Sequence, residues 1–416
     1  MTVLINVGWL VDATGAPPRR NASVLLDDDR IVQIDDLGSL QAAEARVIDA
    51  PNSTLLPGFF DLHAHPCGAR VDPVGDTVDP SFRKDDLIAA KVLKAARALQ
   101  ILLQAGVTTL RDAGSVRNLA VAMKEAVADG LTPGPRVFAS GALIAQTGGL
   151  RLGNEDIADE ITGADEARRV ARQQLKAGVD VLKIYGSASI AGGGGRLIGP
   201  PGWPHLTVDE MRAVVEEAHK AGRLASAHAI STEAIKTAIS AGVDWVDHAT
   251  LLDDEAIEML LETNTPIVPT IGAPWAGEHF GAFGEFIAQK CHEIGTIGRV
   301  TLRKAYEAGV RIATGTDWCL PPGGVAKECE IMTESGLTAM DAIIAATRTP
   351  AEILRVDDRL GTVEVGKTAD LLIVPGNPVE DIRCLSYDRV ELVIQGGQPL
   401  EAPRIDVSRL MGMQAI

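Results

Sequence analysis

The sequence predicts an α/β protein, a (β/α)8 TIM-type barrel carrying a small β-sandwich domain built from both chain termini. Three observations lead there. An Ala-Gly pair recurs at Ala105-Gly106, Ala177-Gly178, Ala221-Gly222, Ala241-Gly242 and Ala308-Gly309, each time after a helical stretch and before a β-like run. Three further β-like runs bring the set to eight. The two ends hold only short strands between Asp and Gly turns.

Each element has its own reason. Glycine just past a helix takes the left-handed C-terminal conformation at little cost. The runs after the pairs are 107–110, 179–184, 224–228, 245–248 and 310–314. The stretches before them, such as 90–103 and 207–220, place apolar residues three and four apart, as an amphipathic helix does. Helix, glycine and strand in repetition point to parallel strands with crossover helices. The remaining strands are 55–65, 136–140 and 266–271. A doubly wound open sheet is the alternative, but no Gly-rich dinucleotide fingerprint opens the first unit. The barrel is therefore expected over 57–354. Residues 1–56 and 355–416 are each too short for a core of their own, so one composite β-sandwich is expected from both.

Composition narrows the function. A formal charge of -17 over 416 residues argues against nucleic acid or anionic membrane as the main partner. The cysteines (Cys67, Cys291, Cys319, Cys329, Cys384) are scattered and form no C-x-x-C pair, which fits a reducing compartment. The first residues show no basic region followed by a long apolar run, and no apolar stretch reaches spanning length. The expectation is a soluble, cytoplasmic protein.

The chemistry starts at Asp61-Leu62-His63-Ala64-His65. Residues two apart on a strand point to one side, so His63 and His65 aim together. Catalytic groups of such a barrel sit at the C-terminal strand ends. Those ends also hold Lys183, His228, His248 and Asp317. Singly, each has a bland reading: a core histidine, a lysine in a salt bridge, an Asp capping a helix. Six such residues at successive strand ends point to a metal site. The other histidines (His205, His219, His279, His292) read as surface groups, and Cys67 as a bystander thiol.

This constellation resembles the amidohydrolase superfamily, and most of all its imidazolonepropionase-like and Xaa-Pro (Xaa-Arg) dipeptidase-like branch. The resemblance extends to Gly106-Val107-Thr108-Thr109-Leu110-Arg111-Asp112 and to the ending Gly361-Thr362-Val363-Glu364-Val365-Gly366-Lys367. It implies two divalent metal ions, with zinc the expected metal. His63, His65 and Asp317 would hold one, His228 and His248 the other, and Lys183 would bridge them as a carbon dioxide-derived carbamate. It implies hydrolysis of an amide-type C–N bond in a small molecule (an N-acyl amino acid, a dipeptide, a carbamate or a urea-like compound) by a bridging hydroxide. Asp317 would act as general base and then acid. Members of this kind often assemble into homo-oligomers.

Tyr185, Gln146 and Thr147 are the candidate substrate-binding residues. The branch usually has Gly-Gly-His after strand three; Leu150 stands here instead, which counts against carrying over a dipeptide specificity. Residues 191–203 resemble a lid and lack the Gly-Lys-Ser/Thr of a P-loop. The alternatives are a cyclic amidine hydrolase or deaminase, a lactone or ester hydrolase, and a catalytically dead scaffold. Deaminases place a glutamate where Ser231 stands, and a scaffold would have lost ligands.

Overall fold

The computed structural model describes residues 1–40, 42, 44–68, 88–149, 157–190, 202–279, 284–317, 324–400 and 405. Leu150, Cys319 and most of the 191–203 segment lie outside them. The N-terminal strands are β1 (Val3–Leu10), β2 (Arg19–Asp27), β3 (Arg30–Asp36) and β4 (Arg46–Pro57). The middle of the chain supplies β5 (Phe59–Ala64), β6 (Val107–Asp112), β7 (Arg136–Phe138), β8 (Leu143–Gln146) and β9 (Ala158–Ile161). It continues with β10 (Val181–Tyr185), β11 (Leu224–Ala229), β12 (Trp245–His248) and β13 (Ile267–Val268), and the C-terminal part adds β14 (Leu371–Pro375), β15 (Leu392–Gln395) and β16 (Gln398–Pro399). Helices α1 (Ile88–Gln104), α2 (Leu119–Ala128), α3 (Ala164–Lys176), α4 (Val208–Lys220), α5 (Thr232–Ala241) and α6 (Asp254–Thr263) alternate with the middle strands. They are followed by α7 (Gly272–His279), α8 (Gly284–Ala308), α9 (Val325–Glu334), α10 (Ala339–Ala345) and α11 (Arg348–Ile353).

The five Ala-Gly glycines behave as their positions require. Gly106, Gly178, Gly222, Gly242 and Gly309 all have positive φ, so each turns the chain out of a helix toward the next strand. The middle strands form two all-parallel sheets, β5-β6-β7 and β13-β12-β11-β10-β8-β9. Backbone links join the two sheets. Ser140 bridges Val181, Ile267 bridges Ile312, and Leu62 N donates to Thr314 O at 3.0 Å. Phe60, Leu62, Val181, Leu224, Trp245, Val268 and Ala313 share one buried cluster, so the strands curve around a common apolar interior.

Two details differ from expectation. The 310–314 run contributes the bridge at Ile312 and no regular strand, while β8 and β9 add two short strands after β7. The expected single strand 55–65 is two strands in different sheets. Up to Pro57 the chain pairs with β1 and β14, and from Phe59 it pairs with β6. Gly58 between them passes so close to β6 that a Cβ would lie 2.2 Å from Thr108 Oγ1. Only glycine makes that crossing without displacing its neighbour.

The two chain ends meet in one seven-stranded sheet, β16-β15-β14-β4-β1-β2-β3. That sheet bends back on itself. Ile31 N donates to Lys367 O at 2.9 Å and Ala369 N to Asp29 O at 2.8 Å, which brings the β3 edge to the segment entering β14. Val3, Ile5, Val24, Ile31, Leu371, Ile373 and Ile394 fill the space enclosed. At Gly397, with φ 75°, a Cβ would lie 1.8 Å from Asp28 O. We expect Gly397→Ala to cost about 2 kcal/mol or more, seen as a lower midpoint in urea unfolding.

Candidate metal centre

Strand direction and a few unusual backbone angles build the site. His63 on β5 and His65 just beyond it point to one side, and Asp61 does so one step earlier. Asp61 Oδ1 accepts from His63 N and Thr316 N (both 3.1 Å) and its Oδ2 from Thr316 Oγ1 at 2.8 Å, tying β5 to the segment that ends at Asp317. Burial pushes the Asp61 carboxyl up to about 6 despite those bonds. Asp317 N donates to His63 O at 2.6 Å. His248 (φ 72°), Thr270 (φ 48°) and Asp317 (φ 47°) are non-glycine residues in the left-handed region. Each costs on the order of 1–3 kcal/mol. Regular β geometry would turn His248 to the side opposite Asp247; its left-handed φ ends the alternation there.

The structure brings His63, His65, Lys183, His228, His248 and Asp317 to the wall of one cavity of about 210 Å³. Asp317 Oδ1 lies 3.4 Å from His63 Nε2 and 3.2 Å from His65 Nε2. The rings of His63 and His248 are 4.8 Å apart, and those of His228 and His248 4.4 Å. His63, His248 and Asp317 each offer a ligand atom within 4.8 Å of the others.

The imidazole tautomers follow from the outer nitrogens. His65 Nδ1 sits 3.2 Å from Gly114 O, and its Nε2 faces Asp317 Oδ1 at the same distance. His228 Nε2 is 3.4 Å from Ala188 O, which leaves Nδ1 as the open nitrogen. His248 Nδ1 pairs with Thr270 Oγ1 at 2.7 Å, while its buried Nε2 has no hydrogen-bond partner. Burial, with like charge from Lys183, takes His63 down to about 3. Burial also brings His248 to about 3 and His228 well below its ordinary value. These are neutral imidazoles, the form that ligates metals.

Behind the cluster lies a carboxylate that reasoning from the sequence passed over. Asp247 is fully buried, pairs with Lys183 Nζ, and accepts from Trp245 Nε1 at 3.0 Å and Ser226 Oγ at 3.2 Å. Arg111 Nη1 reaches it at 3.4 Å, and His63 Nδ1 lies 3.1 Å away. Burial alone would raise its pKa; Lys183, His63 and Arg111 outweigh burial and hold it well below the carboxylate range. Burial brings Lys183 down to about 8 against the pull of Asp247. The period-two alternation of Trp245 and Asp247 was the readable signal for an inward acid. Arg111 carried no such signal, because an arginine wholly inside a strand is exceptional.

Tyr185 ends β10 with its ring 4.5 Å from that of His228, stacked, and borders the cavity. Its phenol, pushed up to about 12 by burial, stays protonated. Gln146 is exposed at the end of β8, and the Thr147 hydroxyl is engaged by Ile161 O (3.1 Å) and Thr162 Oγ1 (2.8 Å). Neither is among the described residues lining the cavity. His205 is not a surface group: it is half-buried, its ring 5.8 Å from Tyr185. Ser231 caps α5 by accepting from Ala234 N at 3.4 Å, which gives that serine a structural purpose.

Residues 54–400 match the amidohydrolase family. The chain belongs to that family. Among its relatives, ochratoxinase of Aspergillus niger is 28% identical over a 435-residue alignment covering 97% of this chain and 87% of that protein. Imidazolonepropionase of Cutibacterium acnes is 27% identical over 409 residues, covering 91% of this chain and 93% of that one. A solved structure of an Xaa-Pro dipeptidase with bound methionine superposes with a TM-score of 0.85 at 32% identity, covering 97% of this chain and all of that one. These likenesses put this amidohydrolase in the imidazolonepropionase-like and prolidase-like branch. Among the described residues, no helix is long and apolar enough to cross a membrane.

Two outcomes test the electrostatics. Asp247→Asn leaves Lys183 and Arg111 buried without their anion. We expect a loss of about 3–5 kcal/mol, read from the urea midpoint. Glu328 on α9 is also buried and accepts from Ile271 N (2.8 Å) and Gly272 N (2.6 Å); burial nonetheless raises its pKa from 4.5 to about 8. The folded state thus holds this proton more tightly than the unfolded chain. The resulting stability is complete below pH 4.5 and is lost as pH rises through about 8. Glu328→Gln should flatten that decline in melting temperature across the same window.

Proposed function

We propose that this amidohydrolase is a metal-dependent enzyme that cleaves an amide-type C–N bond of a small molecule. The observation that carries this reading is the buried, neutral histidine cluster around Asp317, in which His248 Nε2 has no hydrogen-bond partner. A buried polar nitrogen is seldom left so. Imidazole lone pairs beside a carboxylate are the donor set a divalent ion such as zinc accepts.

On this reading the parallel strands close as a (β/α)8 barrel over 57–354, with the composite terminal sheet beside it. His63, His65 and Asp317 would hold one ion, and His228 and His248 a second. Lys183 would stand between the ions as a carbamate. Its amine, near 8 by burial, is neutral often enough near pH 7 to take up carbon dioxide. Bound metal supplies Lewis acidity toward the amide carbonyl and lowers the pKa of water.

The chain's own residues do the rest. The Asp317 carboxylate, held well below its ordinary pKa against the cost of burial by its hydrogen bond to His65, takes a proton from the attacking water. It then delivers that proton to the departing nitrogen. Tyr185 donates its phenol proton in a hydrogen bond to the substrate oxygen. Asp247 sits against the far nitrogen of His63 and fixes that ring. Among the relatives an Xaa-Pro dipeptidase puts dipeptides first among the classes to screen, followed by N-acyl amino acids, carbamates and aryl ureas.

The screen, run with metal quantification, should find turnover in at least one class. Chelation should abolish that turnover and zinc restore it. Asp317→Asn should lower kcat by about 10²–10⁴-fold while leaving the melting temperature within a few degrees. Near-full activity in Asp317→Asn would remove Asp317 from the proton path.

A further inference from the structure

The cavity at the histidine cluster extends away from it between α7 and α8, and that extension differs in chemistry from the cluster. Its walls include Ile271, Pro274 and Gly277 on one side and Ile294, Gly298 and Leu302 on the other. The last three are spaced by four, so they share one face of α8. Gly298 makes the space: a Cβ there would lie 2.8 Å from Ile271 Cδ1. Two of the hydroxyls nearby are already engaged. Thr301 Oγ1 donates to Thr250 O at 2.8 Å, and Thr270 Oγ1 pairs with His248. Among the described lining residues, the only ionisable groups besides Tyr185 and Cys291 are the six of the cluster. The α7 wall is also braced, because Glu328 accepts from both Ile271 N and Gly272 N at its start.

We propose that this extension is an apolar subsite that takes an uncharged substituent of about one aromatic ring on one side of the scissile bond. The inference rests on the amide-hydrolase reading and specifies its substrate class. A space walled mainly by apolar groups rewards apolar area and penalises charge, which would lose its hydration and gain no counterion from the described residues of the extension. An apolar cavity of roughly 150 Å³ accommodates benzene. The whole cavity here is about 210 Å³, which is large enough to admit one ring. The braced wall means that the space exists before the ligand arrives, which lowers the ordering cost of binding.

The test uses the metal-loaded enzyme and a matched substrate series bearing methyl, phenyl, 2-naphthyl or protonated 4-(aminomethyl)phenyl at one position. On wild type, kcat/KM for phenyl should exceed methyl by about tenfold or more, with the cationic ring no better than methyl. Gly298→Leu should bring the phenyl-to-methyl ratio to within about twofold of one. Leu302→Ala should move the preference toward naphthyl by about tenfold. Toluene, which has no bond to cleave, should raise the melting temperature of wild type and not of Gly298→Leu. A phenyl preference untouched in both variants, or equal use of the cationic ring, overturns the subsite. If no amide is turned over but the toluene shift is present and lost in Gly298→Leu, the subsite stands and the hydrolase reading falls. Turnover with no toluene shift and no change of ratio sinks the subsite alone.

Discussion

The buried carboxylate of Asp247 is the constraint on which the site depends. An isolated anion in this interior would be prohibitively costly. It is sustained by Lys183, Arg111, Trp245 and Ser226, with His63 alongside. Those partners come from β6, β10, β11 and β12, with His63 on β5. One charge therefore sets the register of five parallel strands about a common point. Arg111 also stands 5.3 Å over the Trp245 ring, so even the cation is packed as well as paired.

Around that centre the energetic terms pull in opposite directions, and burial decides most of them. It keeps His63, His228 and His248 neutral and draws the amine of Lys183 toward neutrality, while Asp247 and Asp317 stay charged because enough donors and cations face them. Neutral imidazoles beside persistent anions make a site that attracts a cation. The left-handed φ values at His248, Thr270 and Asp317 add local strain at the same place. Glu328 helps to bear it by gripping the backbone just after Thr270. Its carboxyl group thus supports both the histidine partner and the wall of the apolar extension.

The site's asymmetry comes from the same architecture. Strand ends present polar side chains to a shared mouth, whereas α7 and α8 turn apolar faces inward beside it. Polar chemistry and apolar recognition meet in one cavity because strand termini and helix faces obey different periodicities.

Much of this was legible in the chain. Glycines after helices marked the α-to-β turns, because only the left-handed conformation ends a helix so abruptly. His63 and His65 shared a side because strands alternate, and His228 and His248 stood near strand ends, whereas Lys183 lies within β10 and Asp317 follows a run that forms no regular strand. The sequence also placed short strands at both ends that needed each other. What it did not disclose depended on contacts between distant residues. Gly58 moves the chain from one sheet to another because of where Thr108 lies, 50 residues on. Asp247 and Arg111 meet only across strands, and no local pattern announces a paired buried charge. The exposure of Gln146, the engagement of Thr147 and the partial burial of His205 follow from loop packing. By itself the sequence determined which residues could do the chemistry, since periodicity is local; the tertiary structure decided which of them face one another and what surrounds them, since burial and charge pairing are not.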